Sequence, residues 1–374
     1  MITKFANSIT VVSNSYFSVS ATASASNTKS ATKANSATII ASTQSQKEAV
    51  SKMNKLLKKH KLENTPSTAV TTYKLTGSPS ATWSGISISG TNSIACVTDY
   101  ANAANNLIYY SGDGGKNWSQ TNASSNNQWS SVSISGSTAL ASNFLSANAK
   151  GIYYSSDSGK TWVPTGNTES VLNVTIDDSN AIKINVQNGY LTTIYYANAV
   201  STSTNINWVL STTSFTSYVS VVSNSGSNAV LCEQSGHIYY SNDSGKTWTK
   251  SLISPFKNWL SVSISGSNAV ACDETSQHTY YSSDSGVNWF QSTFQSTATP
   301  SSFTCVSISG THAVAGGNGG KIYYSDDSGV TWNTSNSDPN RWWRISIDGP
   351  NAVACVYGGN IYYSTDYGAS WNLS

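Results

Sequence analysis

The chain has 374 residues, a formal net charge of +2 and only 10% charged residues, against about 25% in an average soluble domain. Ser, Thr, Asn and Gly are abundant, and 12 Trp and 21 Tyr are present, which favours an all-β fold rich in turns. No apolar run is long enough for a membrane-spanning helix, and no Cys or His spacing resembles a zinc site.

Residues 1–46 form a low-complexity tail of Ser, Ala, Thr and Asn. Such a composition lacks the apolar side chains needed for a core of its own. The start of the chain is a poor signal peptide, because its short apolar stretch is interrupted by Asn and Ser.

Residues 47–70 are predicted to contain one short basic amphipathic helix and a linker. Val50, Met53 and Leu57 recur at helical spacing after a capping box at 45–48. The helix has three alternative roles: docking its apolar stripe on the folded domain, binding nucleic acid or another polyanion, or binding a protein partner or an anionic membrane. Its anchoring lysines are Lys52, Lys55, Lys58, Lys59 and Lys61.

Charge is distributed unevenly along the chain. Residues 1–81 hold ten Lys and two Glu, a net +8, whereas residues 82–374 hold eight Lys, two Arg and sixteen acidic residues, a net −6. The basic N-terminal segment is therefore predicted to anchor the protein to phosphate, to an anionic surface or to the acidic body of the chain itself.

From residue 82 a unit of about 40 residues is repeated seven times. Each unit predicts an alternating strand as in 129–136, an apolar strand as in 268–272, and a third strand reading Ile-Tyr-Tyr-Ser as in 152–155. Seven such four-stranded units predict an all-β, seven-bladed β-propeller over 71–374, with 71–77 pairing with the last unit to close the ring. A Trp opens each fourth strand, at Trp118, Trp162, Trp208, Trp248, Trp289, Trp332 and Trp371.

The turn before six of these Trp residues shares the pattern Ser-x-Asp-x-Gly. Its Asp can accept hydrogen bonds from turn N–H groups, its Gly permits a positive φ, and the Trp buries a large apolar face. A structural role is favoured over calcium binding, because a calcium loop needs several closely spaced carboxylates. The third unit departs, since 197–208 is longer and lacks both residues. The six are Asp113, Asp157, Asp243, Asp284, Asp327 and Asp366.

This pattern resembles the Asp-box, or BNR, repeat Ser-x-Asp-x-Gly-x-Thr-Trp, and the repeats are similar to those of the sialidase-like propeller superfamily. The short, uniform units look most like photosystem assembly factors of the Ycf48 kind, and they resemble Ser/Asn-rich propeller repeats of large DNA viruses. In such families the boxes lie away from the ligand face. The resemblance therefore implies a ligand face built from loops joining strands two to three, and strand four to the next strand one.

Polar and aromatic side chains in these loops are the candidate binding residues. The segment 340–344 holds both arginines of the chain. Trp342 aligns with the strand-opening aromatic residue of other units, which predicts that it is core. The candidates are Asp99, Tyr100, Phe144, Glu233, Asp273, Glu274, His278, Phe294, Arg341, Trp343 and Arg344.

The residue inventory argues against catalysis. The resemblance implies that a sialidase needs three arginines around the substrate carboxylate, and Arg341 and Arg344 are the only two in the chain. Other glycosidases need two carboxylates about 5–10 Å apart, for which Glu233 with Asp273 or Glu274 remains open.

We therefore expect a non-catalytic structural or protein-interaction propeller, a scaffold or component of a larger assembly such as a viral particle, anchored by its tail and without cofactor or metal. A glycan-binding lectin is the alternative, and a glycoside hydrolase is less favoured.

Cysteine usage favours a reducing compartment, although secretion stays open. Cys96, Cys232, Cys272 and Cys355 occupy one position in four repeats, which predicts small buried residues with free thiols rather than disulfides.

Overall fold

The computed structural model describes residues 77–374, except 124–126, 145–150, 188–190, 199, 201–204, 216, 253, 275–277 and 296–301, and four short strands before them. The chain divides into two compact parts, Met1–Thr76 and Gly77–Ser374. In the first part Ser8–Ser13 pairs with Phe17–Thr22 and Ala37–Thr38 pairs with Thr71–Thr72. The predicted tail boundary at 46 and the helix at 47–70, with its anchoring lysines, lie outside the described residues.

In the second part the described residues form seven consecutive four-stranded antiparallel repeats, called repeats 1 to 7. The strands of repeats 1 to 3 are Trp83–Ser89, Asn92–Val97, Ile108–Ser111 and Ser119–Gln120; Trp129–Ser135, Thr138–Asn143, Ile152–Ser155 and Val163–Pro164; and Val171–Asp177, Asn180–Gln187, Leu191–Ala197 and Val209–Leu210. Those of repeats 4 and 5 are Val219–Ser225, Asn228–Glu233, Ile238–Ser241 and Thr249–Lys250; and Trp259–Ser265, Asn268–Asp273, Thr279–Ser282 and Phe290–Gln291.

Repeats 6 and 7 share one larger sheet. Their strands are Phe303–Ser309, His312–Gly320, Tyr323–Ser325 and Thr331–Thr334; and Asn340–Asp348, Asn351–Val356, Ile361–Ser364 and Asn372–Leu373. The link between them is a short pairing of Asn318 with Arg341. Thr293–Phe294 adds a further strand, parallel to the fourth strand of repeat 6. A short 3-10 helix, Ala103–Asn105, lies in repeat 1.

The alternation of apolar and polar residues in the first strands matches the burial of their side chains. In Val132–Ser135 the apolar residues are buried and the Ser residues are half-buried, the period of two expected of a strand, whereas Ser131, beside a register shift, is buried. The second strands are almost wholly buried, because neighbouring repeats cover both of their faces. The core therefore lies between repeats, where Ile94 of repeat 1 packs with Trp129 and Trp162 of repeat 2.

Hydroxyl groups on the first strands bind the next repeat. Ser87 Oγ accepts a hydrogen bond from the N–H of Ile134 at 3.2 Å, and Ser89 Oγ accepts one from the N–H of Gly136 at 3.0 Å. The first strand is the inner edge of its sheet, so its outward N–H groups need partners from outside that sheet. Two Ser residues with one residue between them, most often as Ser-Ile-Ser, supply those partners, and equivalent bonds recur around the molecule.

The last repeat makes the same contact with the first. Ser346 Oγ accepts from the N–H of Ile88 at 3.2 Å, and Asp348 Oδ2 accepts from the N–H of Gly90 at 2.6 Å. Val353 of repeat 7 also joins the core cluster that surrounds Trp83. Consecutive four-stranded meanders whose last member packs on the first form a β-propeller, which confirms the all-β propeller class expected from the repeats.

The segment that completes this junction differs from the sequence prediction. Residues 71–77 were expected to pair with the last repeat, but Thr71–Thr72 pairs with Ala37–Thr38, and 73–76 lie outside the described residues. The contact is made instead just downstream, where Ser78 Oγ accepts from the N–H of Ile361 at 2.7 Å and Ala81 bridges to Gly359.

Candidate functional site

The antiparallel order gives every repeat two ends. The turn between strands one and two and the turn between strands three and four lie at one end, called the box end. The loop between strands two and three and the connection to the next repeat lie at the other, called the loop end. The candidate binding residues of the sequence lie at or near the loop end, whereas the six turn Asp residues lie at the box end.

The turns at the box end are held by a compact hydrogen-bond network, shown here for repeat 4. Asp243 Oδ1 accepts the N–H of Thr247 at 2.9 Å and the hydroxyl of Ser241 at 2.8 Å, and Oδ2 accepts the Thr247 hydroxyl at 2.6 Å. Ser241 Oγ accepts the N–H of Gly245, whose φ is 86°. Equivalent bonds are formed by Asp157, Asp327 and Asp366, and by Asp113 and Asp284, where an Asn side-chain amide replaces the hydroxyl as the donor to Oδ2.

This network engages both oxygens of each turn carboxylate within its own turn. Burial alone would raise the pKa of each Asp, but the hydrogen bonds from the residue four places on and from the preceding Ser hold it below its ordinary value. A Cβ added at Gly286 would lie 2.5 Å from Val230 Cγ1 of the preceding repeat, so the turn also fits tightly against its neighbour. The arrangement serves to join repeats.

Repeat 3 departs from this scheme, as its sequence indicates. Trp208 is half-buried, whereas Trp248 of repeat 4 is buried. A buried lysine, Lys183, lies beside Trp208, 1% exposed at its side chain, with its Nζ 2.7 Å from Glu169 Oε2. The same Nζ lies 4.6 Å from the Tyr195 ring centroid and 5.3 Å from that of Trp208.

The lysine fits because Val171 opens this repeat, where repeats 1, 2, 5 and 7 have a large Trp. Burial lowers the pKa of Lys183, and the Glu169 carboxylate opposes that shift. Lys183 was not predicted from the sequence, although a charged residue inside a strand that is otherwise apolar was the available signal.

At the loop end of repeat 7, two cations and two aromatic rings form the arginine cluster: Arg341, Trp343, Arg344 and Tyr357. The guanidinium of Arg341 lies 4.0 Å from the exposed Tyr357 ring, which meets Trp343 edge-on at 5.4 Å between ring centroids. Arg341 itself is exposed, and Trp342 is buried as predicted. Tyr357 was missed because its position depends on the pairing of two strands, where its N–H donates to the carbonyl of Arg341.

The second arginine has a more structural position. Arg344 is half-buried, its Nε donates to the carbonyl of Ser84 in repeat 1 at 3.1 Å, and its guanidinium lies 4.8 Å from the Trp343 ring centroid. It therefore ties the arginine cluster to the junction between the last and first repeats.

Two acidic candidates from repeat 5 separate in the structure. Asp273 is fully buried and forms an ion pair with Lys257, with 3.3 Å between Oδ2 and Nζ. Burial alone would lower the pKa of Lys257, but the Tyr280 hydroxyl and the Asp273 carboxylate raise it. Glu274 is exposed and accepts a hydrogen bond from Asn258. Lys257 was missed because nothing in its local sequence marks it as a partner for Asp273.

Glu233 is the third acidic candidate, and it is 3% exposed. Its Oε2 accepts the N–H of His237 at 3.3 Å, while its Oε1 has no hydrogen-bond partner among the described residues. The ring of His237 meets the exposed Phe256 edge-on at 5.6 Å between ring centroids. The structure thus gives Glu233 a buried position within the loop of repeat 4 rather than an exposed ligand position.

The remaining candidates lie in separate loops. Asp99 caps a turn, and its pKa is lowered by the hydrogen bond from the Asn105 side chain and by those from the N–H groups of Asn102 and Ala101. Tyr100 beside it is 78% exposed. Phe144 is half-buried, His278 is exposed, and Phe294 packs on Phe303 and Trp332 between repeats 5 and 6.

All five cysteines are buried and free, which confirms the thiol prediction. Burial raises the pKa of Cys96 and Cys232 to about 12. Within the described residues no group of three or more His, Cys, Asp or Glu side chains could hold a metal ion. No helix in the same part of the chain has the length and apolar character to span a membrane.

Comparison with solved structures supports the fold. The chain is similar to YCF48 from Cyanidioschyzon merolae, at 17% identity and a TM-score of 0.56 over 79% of this chain and 97% of that one. It is also similar to YCF48 bound to D1 peptide, at 14% identity and a TM-score of 0.55 over 78% and 95% of the two chains. A computationally designed protein, Ika8, matches at 8% identity and a TM-score of 0.54 over 79% and 86%. No family model and no curated protein sequence matches.

Proposed function

We propose that the chain is a non-catalytic, seven-bladed propeller of the Asp-box type that binds protein partners through its loop end. The arginine cluster carries the proposal, because it combines an exposed cation with exposed aromatic surface, the composition enriched at protein interfaces. The similar structure of YCF48 bound to D1 peptide supports a propeller of this kind as a peptide-binding scaffold.

The chemistry of the arginine cluster favours a carboxylate-bearing peptide as the ligand. A guanidinium binds a carboxylate through two parallel N–H donors, and Arg341 has no acidic partner among the described residues. The Tyr357 ring beside it offers apolar contact for a neighbouring side chain. A glycan, the alternative ligand, is less favoured here, since Arg341 already covers one face of the ring on which a sugar would stack.

The absence of catalysis is supported by the acidic residues of the loop end. Asp273 is neutralised by Lys257, and Glu233 is engaged by backbone within its own loop. A general acid and a general base both need to reach substrate, and neither buried carboxylate has an exposed face. A glycosidase remains the least favoured alternative.

Membership of a larger assembly, such as a viral particle, extends the same proposal. The net +8 charge of residues 1–81 suits an anchor to an anionic surface or a polyanionic partner. Association through that segment is expected to weaken as the salt concentration rises.

Paired substitutions test the peptide-binding proposal. Arg341→Ala should weaken association with the native partner at least tenfold, because it removes the cation that the partner carboxylate meets. Lys160→Ala, an exposed cation at the box end, should leave association unchanged. Equal affinities for both variants would sink the proposal, and binding to a sugar array or turnover of aryl glycosides would favour one of the alternatives.

A further inference from the structure

The outer edge of a fourth strand is covered by chain from a neighbouring repeat, most fully in repeat 6. Thr293–Phe294 runs parallel to that strand, with the N–H of Thr293 donating to the carbonyl of Val330 at 2.9 Å and the N–H of Gln295 to that of Trp332 at 3.0 Å. The Phe294 ring stacks on the Trp332 ring, with centroids 6.3 Å apart. This is strand addition within a single chain.

Shorter versions of this contact cover five other repeats. Each uses the residues that follow the preceding repeat's fourth strand, and each reaches the Trp of the next repeat or a residue just before it. The bonds join Asn122 Oδ1 to Trp162 N, Thr212 N to Lys246 O, Leu252 N to Val287 O, Asn336 N to Ala369 O and Ser374 Oγ to Gly115 O, at 2.8, 3.1, 2.8, 3.1 and 2.6 Å.

Repeat 3 lacks this cover. The position equivalent to Asn122 is Gly166, with a φ of 78° and no side chain to accept the Trp208 N–H. Among the described residues no chain segment bonds to the outward backbone of Ile206, Trp208 and Leu210, which we call the open edge.

The open edge also lacks the usual protection of an edge strand. Val209 is 41% and Leu210 is 53% exposed. Leu210 pairs with the first Tyr of the third strand in repeat 3. The residue that pairs with this Tyr is Pro164 in repeat 2 and Lys250 in repeat 4. Proline and lysine are the residues that prevent unwanted strand pairing, so repeat 3 alone of these three presents an apolar, pairing-competent edge.

We propose that the open edge binds an extended, uncharged segment of a partner protein, parallel to residues 208–210, with an aromatic residue over the ring of Trp208. Thr293–Phe294 on repeat 6 shows how such a segment sits. The lack of charge follows from the exposed side chains of the edge, because Val209 and Leu210 are apolar and the cation beside Trp208, Lys183, is 1% exposed and already paired with Glu169. The open edge lies on the outer rim, away from the arginine cluster, so this proposal does not depend on the loop-end function.

A peptide titration tests this proposal on the full-length chain. The probe is a capped peptide with the sequence of residues 290–295, Phe-Gln-Ser-Thr-Phe-Gln, and the readout is the indole N–H resonance of Trp208 in tryptophan-labelled protein. Saturable binding, unchanged between low and high salt, is the expected result. The same peptide with its second Phe replaced by Ala should bind at least tenfold more weakly.

Three variants at one position complete the test. Leu210→Pro, which copies repeat 2, removes an outward N–H and should weaken binding at least tenfold, as should Leu210→Lys, which copies repeat 4. Leu210→Thr keeps the N–H and an uncharged side chain and should stay within about threefold of the wild type, because backbone pairing and ring stacking carry the affinity.

Three outcomes would overturn the proposal: no shift at Trp208, equal binding by wild type and by folded Leu210→Pro and Leu210→Lys, or self-association of the chain that Leu210→Lys abolishes. The last would assign the open edge to a second copy. The loop-end proposal has its own test, which is the binding of an acidic peptide and its loss in Arg341→Ala. Failure of the loop-end proposal and failure of the open-edge proposal can therefore be told apart.

Discussion

The Trp that opens the fourth strand is packed differently in repeats 3 and 4. Trp248 is 5% exposed within the core between repeats 3 and 4, whereas Trp208 is half-buried beside Lys183. We expect Trp248→Ala to lower the free energy of unfolding by about 3–5 kcal/mol, and Trp208→Ala to lower it by less than half as much. Denaturant titration of both variants measures the difference, and equal losses would contradict the distinct packing of repeat 3.

The turn Asp residues make stability depend on pH. Their pKa values are lowered in the folded protein by hydrogen bonds to the turn, so their contribution is present above the unfolded pKa of about 4 and is lost as the pH falls below it. We expect the unfolding midpoint to drop as the pH is lowered from 5 to 3. Asp243→Asn should reduce that dependence, and Asp243→Ala should cost about 1–3 kcal/mol at neutral pH. A midpoint that does not change over this range would show that the carboxylates are not engaged.

Residue-scale prediction from sequence succeeded where one residue type recurs at one position. Trp342 and the buried cysteines were predictable because seven repeats can be aligned on each other. Lys257 with Asp273 and Arg341 with Tyr357 were not, because each pair comes from segments brought together by strand pairing or packing rather than by a repeated motif.

Among the structural elements, the first strands depend on hydroxyl groups from the preceding repeat. Ser263 Oγ accepts the N–H of Ile308 at 3.2 Å, so Ser263→Ala should lower the free energy of unfolding by about 1 kcal/mol. Ser93 is the matched control, since its buried hydroxyl has no partner among the described residues and repeat 2 has Ala139 at the same position. Ser93→Ala should leave stability unchanged or raise it by up to about 1 kcal/mol. The opposite order, measured by thermal unfolding, would argue against the hydroxyl contacts.

The strands themselves were largely predictable, because the first strands alternate in polarity and the third strands repeat the same Ile-Tyr-Tyr-Ser motif. The bonds between repeats were not. The role of Ser87 as an acceptor depends on how closely two sheets approach each other. Asn122 has a side-chain oxygen that accepts the N–H of Trp162 in the next repeat, whereas Gly166 has no side chain to accept that of Trp208.

For the molecule as a whole, the propeller class could be read from repeat number and length, but its junction could not. The segment 78–81 contains no strand pattern, and it completes the junction through single hydrogen bonds to repeat 7. Sequence periodicity reports elements that recur, whereas a junction occurs once.

Removal of the N-terminal part tests whether folding and anchoring are separate. A chain starting at Thr71 keeps the 78–81 contacts and should therefore unfold with an unchanged midpoint and remain monomeric. We expect it to lose the native association proposed for the basic segment, because residues 1–70 carry nine Lys and two Glu, a net +7. An insoluble truncated chain would instead place the predicted helix in the core, and an unchanged, salt-insensitive association would exclude electrostatic anchoring.

Hydroxyl-radical footprinting of the full-length chain, free and in its native assembly, tests the central claim that partners bind at the loop end. Tyr100 and Tyr357 are 78% and 43% exposed at that end, and Tyr367 is 37% exposed at the box end, so all three should be oxidised in the free protein. In the assembly we expect strong protection of Tyr357, and of Tyr100 if the interface extends across repeat 1, with Tyr367 still reactive. Protection of Tyr367 while Tyr357 stays fully reactive would contradict a partner-binding loop end.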